Sequence, residues 1–311
     1  MSFNIPKNDD LKTLNLKEVL QYPKAVADYF AYYGLEFEGV AHKFGTFESQ
    51  GYTLAAHCFL PKEYRSAVLL MHGYFEHSGL MAKIIKHLLS KGFLVAVYDM
   101  PGHGLSSGES AVIESFSTYS AVLEDFIRMF KENISVPLNI VGHSTGCSAI
   151  LDYMFTRDTA HLNKVVLAAP LVRAYMWCFT KFACRLVSKV SGSVPRKFHK
   201  SSSDKAFLDF YRRDPLQQWV QPLVWVKALI DWNKRIAGTA TIKKPIMVLQ
   251  GTKDTLVEWK YNTGFIKKTF PLSDIKIFKE AGHYLFNEGE KVREQVFETV
   301  ADYLLPVASE K

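Results

Sequence analysis

Short apolar runs rich in β-branched residues alternate along this chain with stretches in which apolar residues recur every three or four positions. The first pattern suits strands buried on both faces, and the second suits amphipathic helices laid against them. The runs predict strands over Leu54 to Leu60, Ala67 to Met71, Phe93 to Tyr98, Leu138 to Val141, Lys164 to Ala168, Ile246 to Leu249 and Ile275 to Phe278. Helices are expected over Leu80 to Ser90, Tyr119 to Lys131, Thr145 to Phe155 and Val292 to Leu305. Strands joined through helices pair into a mostly parallel central sheet flanked by helices, so the fold class is α/β.

That rhythm stops after Pro170 and resumes at Pro245. The intervening stretch is aromatic and basic, lacks a strand pattern, and reads as helical around Tyr175 to Val190 and Pro222 to Arg235. An inserted helical cap is therefore expected over 171–240, dividing a core of 41–170 and 241–311. Residues 1–40 read as an N-terminal helical lead-in. No internal repeat or low-complexity tract is present.

Composition narrows the class. At 311 residues the chain is long enough for two domains, but sheet-based α/β enzymes often reach that length as one unit with an insertion. Hydrophobic residues make up 48% of it, enough for a large core and against a disordered chain. The net charge of +7 is local: Leu171 to Ala240 holds 13 Lys and Arg against 4 acids, more positive charge than the whole chain nets. A basic, aromatic cap is a candidate for peripheral contact with an anionic membrane surface or head group, and no nucleic-acid partner is expected. Cys58, Cys147, Cys178 and Cys184 show no repeated CxxC spacing, so buried free thiols are expected rather than a zinc site or disulfide framework. Lys7, Asp9 and Asp10 stand where a signal peptide needs an apolar run, and no apolar stretch of about 18 residues follows. The expectation is a cytoplasmic protein, membrane-associated only peripherally.

The chemistry concentrates at strand ends. Gly142-His143-Ser144-Thr145-Gly146 follows one apolar strand and opens a helix, the context of a GxSxG nucleophile elbow. In such a turn backbone crowds the positions two before and two after the serine, which Gly142 and Gly146 tolerate, while the serine takes a strained conformation that exposes its hydroxyl. A serine hydroxyl is a weak nucleophile and needs a base, itself oriented by an acid. Asp254, in Gly251-Thr252-Lys253-Asp254, and His283, in Ala281-Gly282-His283, each follow the next strands in the order serine, acid, histidine. A turn aspartate or a solvated loop histidine is commoner for either residue alone; both after consecutive strands in this order point to a triad of Ser144, Asp254 and His283. His72-Gly73-Tyr74-Phe75 ends another strand, which suits an oxyanion hole built from the backbone N–H groups of Tyr74 and Thr145. His72 and His77 lack a third ligand at metal spacing, so no metal is expected and His72 is read as a structural hydrogen-bonding group. The glycines of Asp99-Met100-Pro101-Gly102-His103-Gly104-Leu105-Ser106 resemble a phosphate loop, but Ser107 replaces the third fingerprint glycine and no helix follows promptly, so a tight structural turn is preferred and no cofactor is expected.

On these residues the chain resembles the monoacylglycerol lipase and lysophospholipase branch of the α/β-hydrolases. The matching stretches are His72-Gly73 with Glu76-His77-Ser78, Asp99 to Ser106, Gly142 to Gly146, Gly251 to Asp254 and Ala281 to His283. Asp214-Pro215-Leu216-Gln217, with Trp225 and Trp232 downstream, is similar to bacterial lysophospholipases. Tyr74 and Phe75 depart from the family, standing where its smaller oxyanion-loop residues would be. The resemblance implies an α/β-hydrolase fold and a serine esterase cleaving single-acyl-chain lipids, lysophospholipid or monoacylglycerol, through an acyl-enzyme. A broad-specificity carboxylesterase or thioesterase and a serine aminopeptidase of the same fold are the alternatives. The peptidases need carboxylates for a substrate ammonium, in which this cap is poor, and Ser144 excludes the aspartate chemistry of epoxide hydrolases. A non-catalytic binding protein would not need the three intact residues.

Overall fold

In the computed structural model, which describes residues 4–7, 10–18 and 20–305, the apolar runs pair into one eight-stranded sheet. Its strands are β1 (Val40–Ser49), β2 (Tyr52–Pro61), β3 (Ser66–Met71), β4 (Phe93–Tyr98), β5 (Leu138–His143), β6 (Leu162–Ala168), β9 (Met247–Gly251) and β10 (Asp274–Phe278). A ribbon of β7 (Ser193–Pro195) and β8 (Val220–Pro222) lies apart from it. The order across the large sheet is β1-β2-β4-β3-β5-β6-β9-β10, and only the pairings that involve β2 are antiparallel. From β3 the chain turns to β4 on one side and afterwards to β5 on the other. That reversal falls at β3 and β5, and the carboxyl ends of strands at such a switch point are where α/β sheets bind ligands.

Strand periodicity divides the core. Ala67, Leu69 and Met71 of β3 join one apolar cluster and Val68 and Leu70 join the other, because successive side chains leave opposite faces. The first cluster packs beneath α3 (Phe116–Asn133), α4 (Thr145–Thr156) and α8 (Trp259–Thr269), and the second beneath α1 (Lys24–Tyr33), α2 (Ala82–Ser90) and α9 (Glu290–Leu304). All of the expected strands and helices are present, with ends shifted by a few residues. Strand β1 and helix α8 were not expected. β1 intersperses His42, Lys43, Thr46 and Glu48 among its apolar residues and takes its register from β2.

Between β6 and β9 the chain builds α5 (Trp177–Val187), β7, α6 (Lys205–Arg213), β8 and α7 (Leu223–Ile236). The short β7–β8 pair corrects the expectation that this stretch has no strands. Three residues pair on each side, too few to leave a period in the sequence. The helices straddle the sheet domain's two clusters: Trp225, Val226, Leu229 and Trp232 of α7 join the first, while Phe207 and Tyr211 of α6 join the second. Two buried polar groups pin the seam. Asp152 of α4 accepts from Trp232 Nε1 at 2.9 Å, from Arg235 and from Ser120 Oγ at 2.6 Å. Asp214 accepts from Tyr33 Oη at 2.6 Å and pairs with His77 Nε2 at 2.9 Å.

Candidate active site

Strand β5 runs directly into α4 through Ser144, whose φ of 51° lies in the left-handed region that a residue with a side chain adopts only when its surroundings enforce it. The enforcement is visible on both sides. A Cβ on Gly146 would lie 2.5 Å from Met71 O, and one on Gly142 would lie 2.9 Å from Cys147 N, so backbone crowds both positions. Ser144 N–H donates to Ala168 O at 3.0 Å, which locks the turn to β6. The serine remains only 7% exposed.

Asp254 and His283 follow β9 and β10, whose registered ends, Gly251 and Phe278, bring the two loops side by side. His283 Nδ1–H donates to Asp254 Oδ2 at 2.7 Å, which orients the ring and makes Nε2 the nitrogen that the acid does not engage. Burial pushes the Asp254 carboxyl up, but the adjoining His283 ring and the N–H groups of Leu256 and Val257 outweigh it and hold it below its ordinary value. Gln250 Nε2 also donates to Asp254 Oδ2, at 3.1 Å.

The loop Gly73 to Phe75 leaves β3 beside the elbow, and a Cβ on Gly73 would lie 3.1 Å from Ser144 Cβ. No bond from the N–H of Tyr74 or Thr145 to another protein group occurs among the described residues. The large Tyr74 and Phe75 side chains turn toward the β6–β9 insertion, where the Tyr74 ring stacks on Trp225 at 3.8 Å.

Sequence reasoning missed the group that ties these loops together. His143 Nδ1 lies 2.6 Å from Glu76 Oε2 and its Nε2 lies 2.9 Å from His283 O. Both partners only accept, so both ring nitrogens carry protons and His143 is an imidazolium paired with a carboxylate. Burial opposes each charge; the pair nonetheless raises His143 above its ordinary value and holds Glu76 down at about 2. Glu76 Oε2 further accepts from Gly73 N–H at 2.7 Å. One chain of hydrogen bonds thus runs from the β3 loop through Glu76 and His143 to the backbone of His283. Glu76 and His143 stand 67 positions apart, and no local pattern could have joined them. Ser201 was missed as well: its carbonyl accepts from His283 N–H at 2.8 Å and Tyr284 N–H at 3.1 Å, a backbone contact with no sequence signal.

Other expectations have clear outcomes. His72 is structural: it accepts from Met100 N–H at 2.9 Å and donates to Gly73 O at 2.8 Å, and burial depresses it to about 4. The Asp99 to Ser106 loop is a tight turn, with Asp99 accepting from Ser78 N–H and Leu105 N–H at the places where a phosphate loop would leave its donors open. Cys58, Cys147 and Cys184 are buried free thiols, but Cys178 is exposed because it faces outward on α5, contrary to expectation.

Known proteins agree with this architecture. A human monoglyceride lipase is 28% identical over 248 residues, covering 76% of this chain and 81% of the relative. A monoglyceride lipase homolog of Monkeypox virus is 27% identical over 248 residues, covering 77% and 89%. Among solved structures, a soluble variant of monoglyceride lipase from Saccharomyces cerevisiae, in complex with a substrate analog, superposes with a TM-score of 0.72 at 20% identity, covering 83% of this chain and 93% of that one. Residues 62–290 match the Hydrolase_4 family, described as serine aminopeptidase, S33. The chain belongs to that family and has the α/β-hydrolase fold.

Proposed function

We propose that this protein is a carboxylic ester hydrolase acting on single-acyl-chain lipids, monoacylglycerol or lysophospholipid, with Ser144 as nucleophile, His283 as general base and Asp254 as its orienting acid. The observation that carries this reading is the strained Ser144 at the end of β5, whose neighbour His143 contacts His283 of the buried His283–Asp254 pair. Ser144 Oγ bonds to the ester carbonyl carbon as His283 Nε2 takes its proton, and the N–H groups of Tyr74 and Thr145 receive the oxyanion. Collapse expels the alcohol, protonated by His283. Water then repeats the sequence on the acyl-enzyme and releases the fatty acid. None of these steps needs a cofactor or metal.

The family's printed description names an aminopeptidase, whose substrate carries an ammonium group. Three of the four acids between 171 and 240 are already engaged: Asp204 with Lys83, Asp214 with His77, and Asp231 with Lys227. The fourth, Asp209, is exposed. Glu76 is spent on His143. Among the described residues, three of the insertion's acids and Glu76 are thus already paired with cations, which disfavours an ammonium substrate, and the names of the relatives favour a glycerolipid ester.

Residues 171–240 act as a cap on the core formed by 41–170 and 241–311, and α1 of the N-terminal segment packs on the second apolar cluster, where Tyr33 meets the cap at Asp214. The cap's outward side supports peripheral contact with a lipid surface. Phe179 and Phe182 are 63% and 60% exposed on the same helix as Lys181 and Arg185, the mixture that interfacial helices use. Among the described residues no helix is long and apolar enough to cross a membrane.

A hydrolysis panel tests the assignment: monoacylglycerols, lysophospholipids, soluble short-chain esters and aminoacyl amides, each with wild type and Ser144→Ala. The single-chain lipids should turn over fastest, and Ser144→Ala should lose at least about 1000-fold on every ester. Preferential cleavage of aminoacyl amides, or an active Ser144→Ala, would overturn it.

A further inference from the structure

The loop that carries Tyr74 is held from two sides, and the second side belongs to the β6–β9 insertion. Phe75, its last residue, has a φ of 62°, an outlier for a bulky side chain that persists only where neighbours over-determine it. From the sheet domain, Glu76 holds Gly73 N–H and the Tyr74 hydroxyl donates to Ala111 O at 2.8 Å. Neither contact touches Phe75.

The insertion supplies the missing constraint. The Arg196 guanidinium lies 3.9 Å from the centre of the Phe75 ring. The Tyr211 hydroxyl donates to Phe75 O at 3.2 Å. Trp225 stacks nearly parallel on Tyr74, with 13° between the rings. Arg196 is itself immobilised: its NH1 donates to Gln217 and, at 2.9 Å, to Gln218 O, and its NH2 donates to Tyr211. Tyr211 Oη accepts from Tyr284 Oη at 3.0 Å, and Tyr284 is the neighbour of His283. The insertion therefore grips the loops on both sides of Ser144.

We propose that Arg196, Tyr211 and Trp225 are positioning residues for the oxyanion loop, so that seating the insertion completes the oxyanion hole and acts on the transition state as well as on substrate capture. This rests on the assignment of Tyr74 N–H as an oxyanion donor. Donors of this kind work only when aimed at the position the oxyanion will occupy, and a tilt of the Tyr74 peptide misdirects its N–H. A merely structural role would lower thermal stability and the fraction of competent enzyme. A substrate-binding role would raise KM. The positioning role predicts neither as its main effect.

The test uses the full chain with Arg196→Ala, Tyr211→Phe, Trp225→Ala and the conservative Trp225→Phe. Each is measured on a soluble short-chain ester after its competent serines have been counted with a fluorophosphonate label. Because a lost oxyanion donor costs about 100-fold or more, a misaimed one should lower kcat per competent site by about 10-fold in Arg196→Ala and Trp225→Ala while KM stays within about 2-fold. Affinity for a boronic acid, whose tetrahedral serine adduct occupies the same hole, should weaken by the same factor. Trp225→Phe should recover most of the loss because a stacked ring remains. A raised KM with unchanged kcat and boronate affinity, or a loss accounted for wholly by fewer labelled serines, would overturn the proposal. If the alanine variants do not fold, Tyr211→Phe and Trp225→Phe decide it by the same split between kcat and boronate affinity, Tyr211→Phe losing both and Trp225→Phe keeping them. An active Ser144→Ala would instead remove the underlying site assignment, whatever these variants do.

Discussion

The carboxyl edge of the sheet and the outer face of the insertion treat water in opposite ways. At the edge, Ser144, Asp254, His283, Glu76 and His143 are all buried, and each of the four ionisable groups among them meets a partner within 2.7 Å. On α5 only Trp177 and Cys184 are buried, and Phe179, Phe182 and Leu186 point away from the protein. Buried charges tolerate few geometries because an unmatched one is costly, so the edge is rigid. Exposed apolar side chains gain nothing from water, so α5 is suited to meeting an apolar phase. The seam between these regions is polar again: Asp152 and Asp214 tie the inner side of the insertion to the core, while α5 has no comparable anchor among the described residues.

That contrast can be broken most severely at the edge. Asp254→Asn should lower kcat by about 10000-fold, because an amide stabilises the wrong histidine tautomer while leaving the shape intact. Steady-state kinetics on a short-chain ester measures it, and near-normal turnover would show that Asp254 is not the orienting acid. The seam comes next. Asp214→Ala strips a partner from His77, Tyr33 and Leu216 N–H at once and should cost roughly 3 to 5 kcal/mol in urea unfolding. A cost under about 1 kcal/mol would mean that the insertion is not anchored there.

Acid should attack the core beneath α1 first, as pH falls below about 6.5, and the seam at Asp214 only at lower pH, because burial, which raises that carboxyl, is outweighed by His77 and Tyr33, which hold it below its ordinary value. Burial lowers His42 to about 3 and His57 well below its ordinary value near 6.5, so both rings are neutral in the fold. Their folded values lie below the unfolded one, so between the two the unfolded chain binds more protons. Stability therefore falls as pH drops through that window, by up to roughly 1.4 kcal/mol per pH unit for each ring. His77 and His143 act with the opposite sign: raised by Asp214 and Glu76 against the effect of burial, they stabilise fully below about 6.5 for as long as those carboxylates stay ionised, and lose that contribution as pH rises through their folded values. Urea titrations at several pH values should show a shallower acid slope in His42→Phe, and an identical slope would clear that ring. The smallest effect belongs to α5. Phe182→Ser should change stability by no more than about 0.5 kcal/mol, since the side chain is 60% exposed and joins neither apolar cluster; a larger loss would place it in the core.

Strand and helix positions, the tight turn at Ser144 and the placing of Asp254 and His283 after consecutive strands were legible because each is written in a few consecutive residues. An apolar run needs burial on both faces, two glycines are the residues a crowded turn accepts, and a loop after a strand falls at one edge of a parallel sheet. The break in the strand–helix rhythm after Pro170 is what motivates the cap proposed for residues 171–240. What the sequence could not carry was the pairing of distant groups: Glu76 with His143, Asp214 with His77 and Tyr33, and Arg196 with Phe75. It could not tell which cap aromatics are buried, as Trp225 and Trp232 are, and which are exposed, as Phe179 and Trp219 are. Nor could it register Ser201, which acts through a carbonyl that every residue has. Local periodicity records what each segment buries, whereas these contacts depend on where separate segments meet, and only the packed fold decides that.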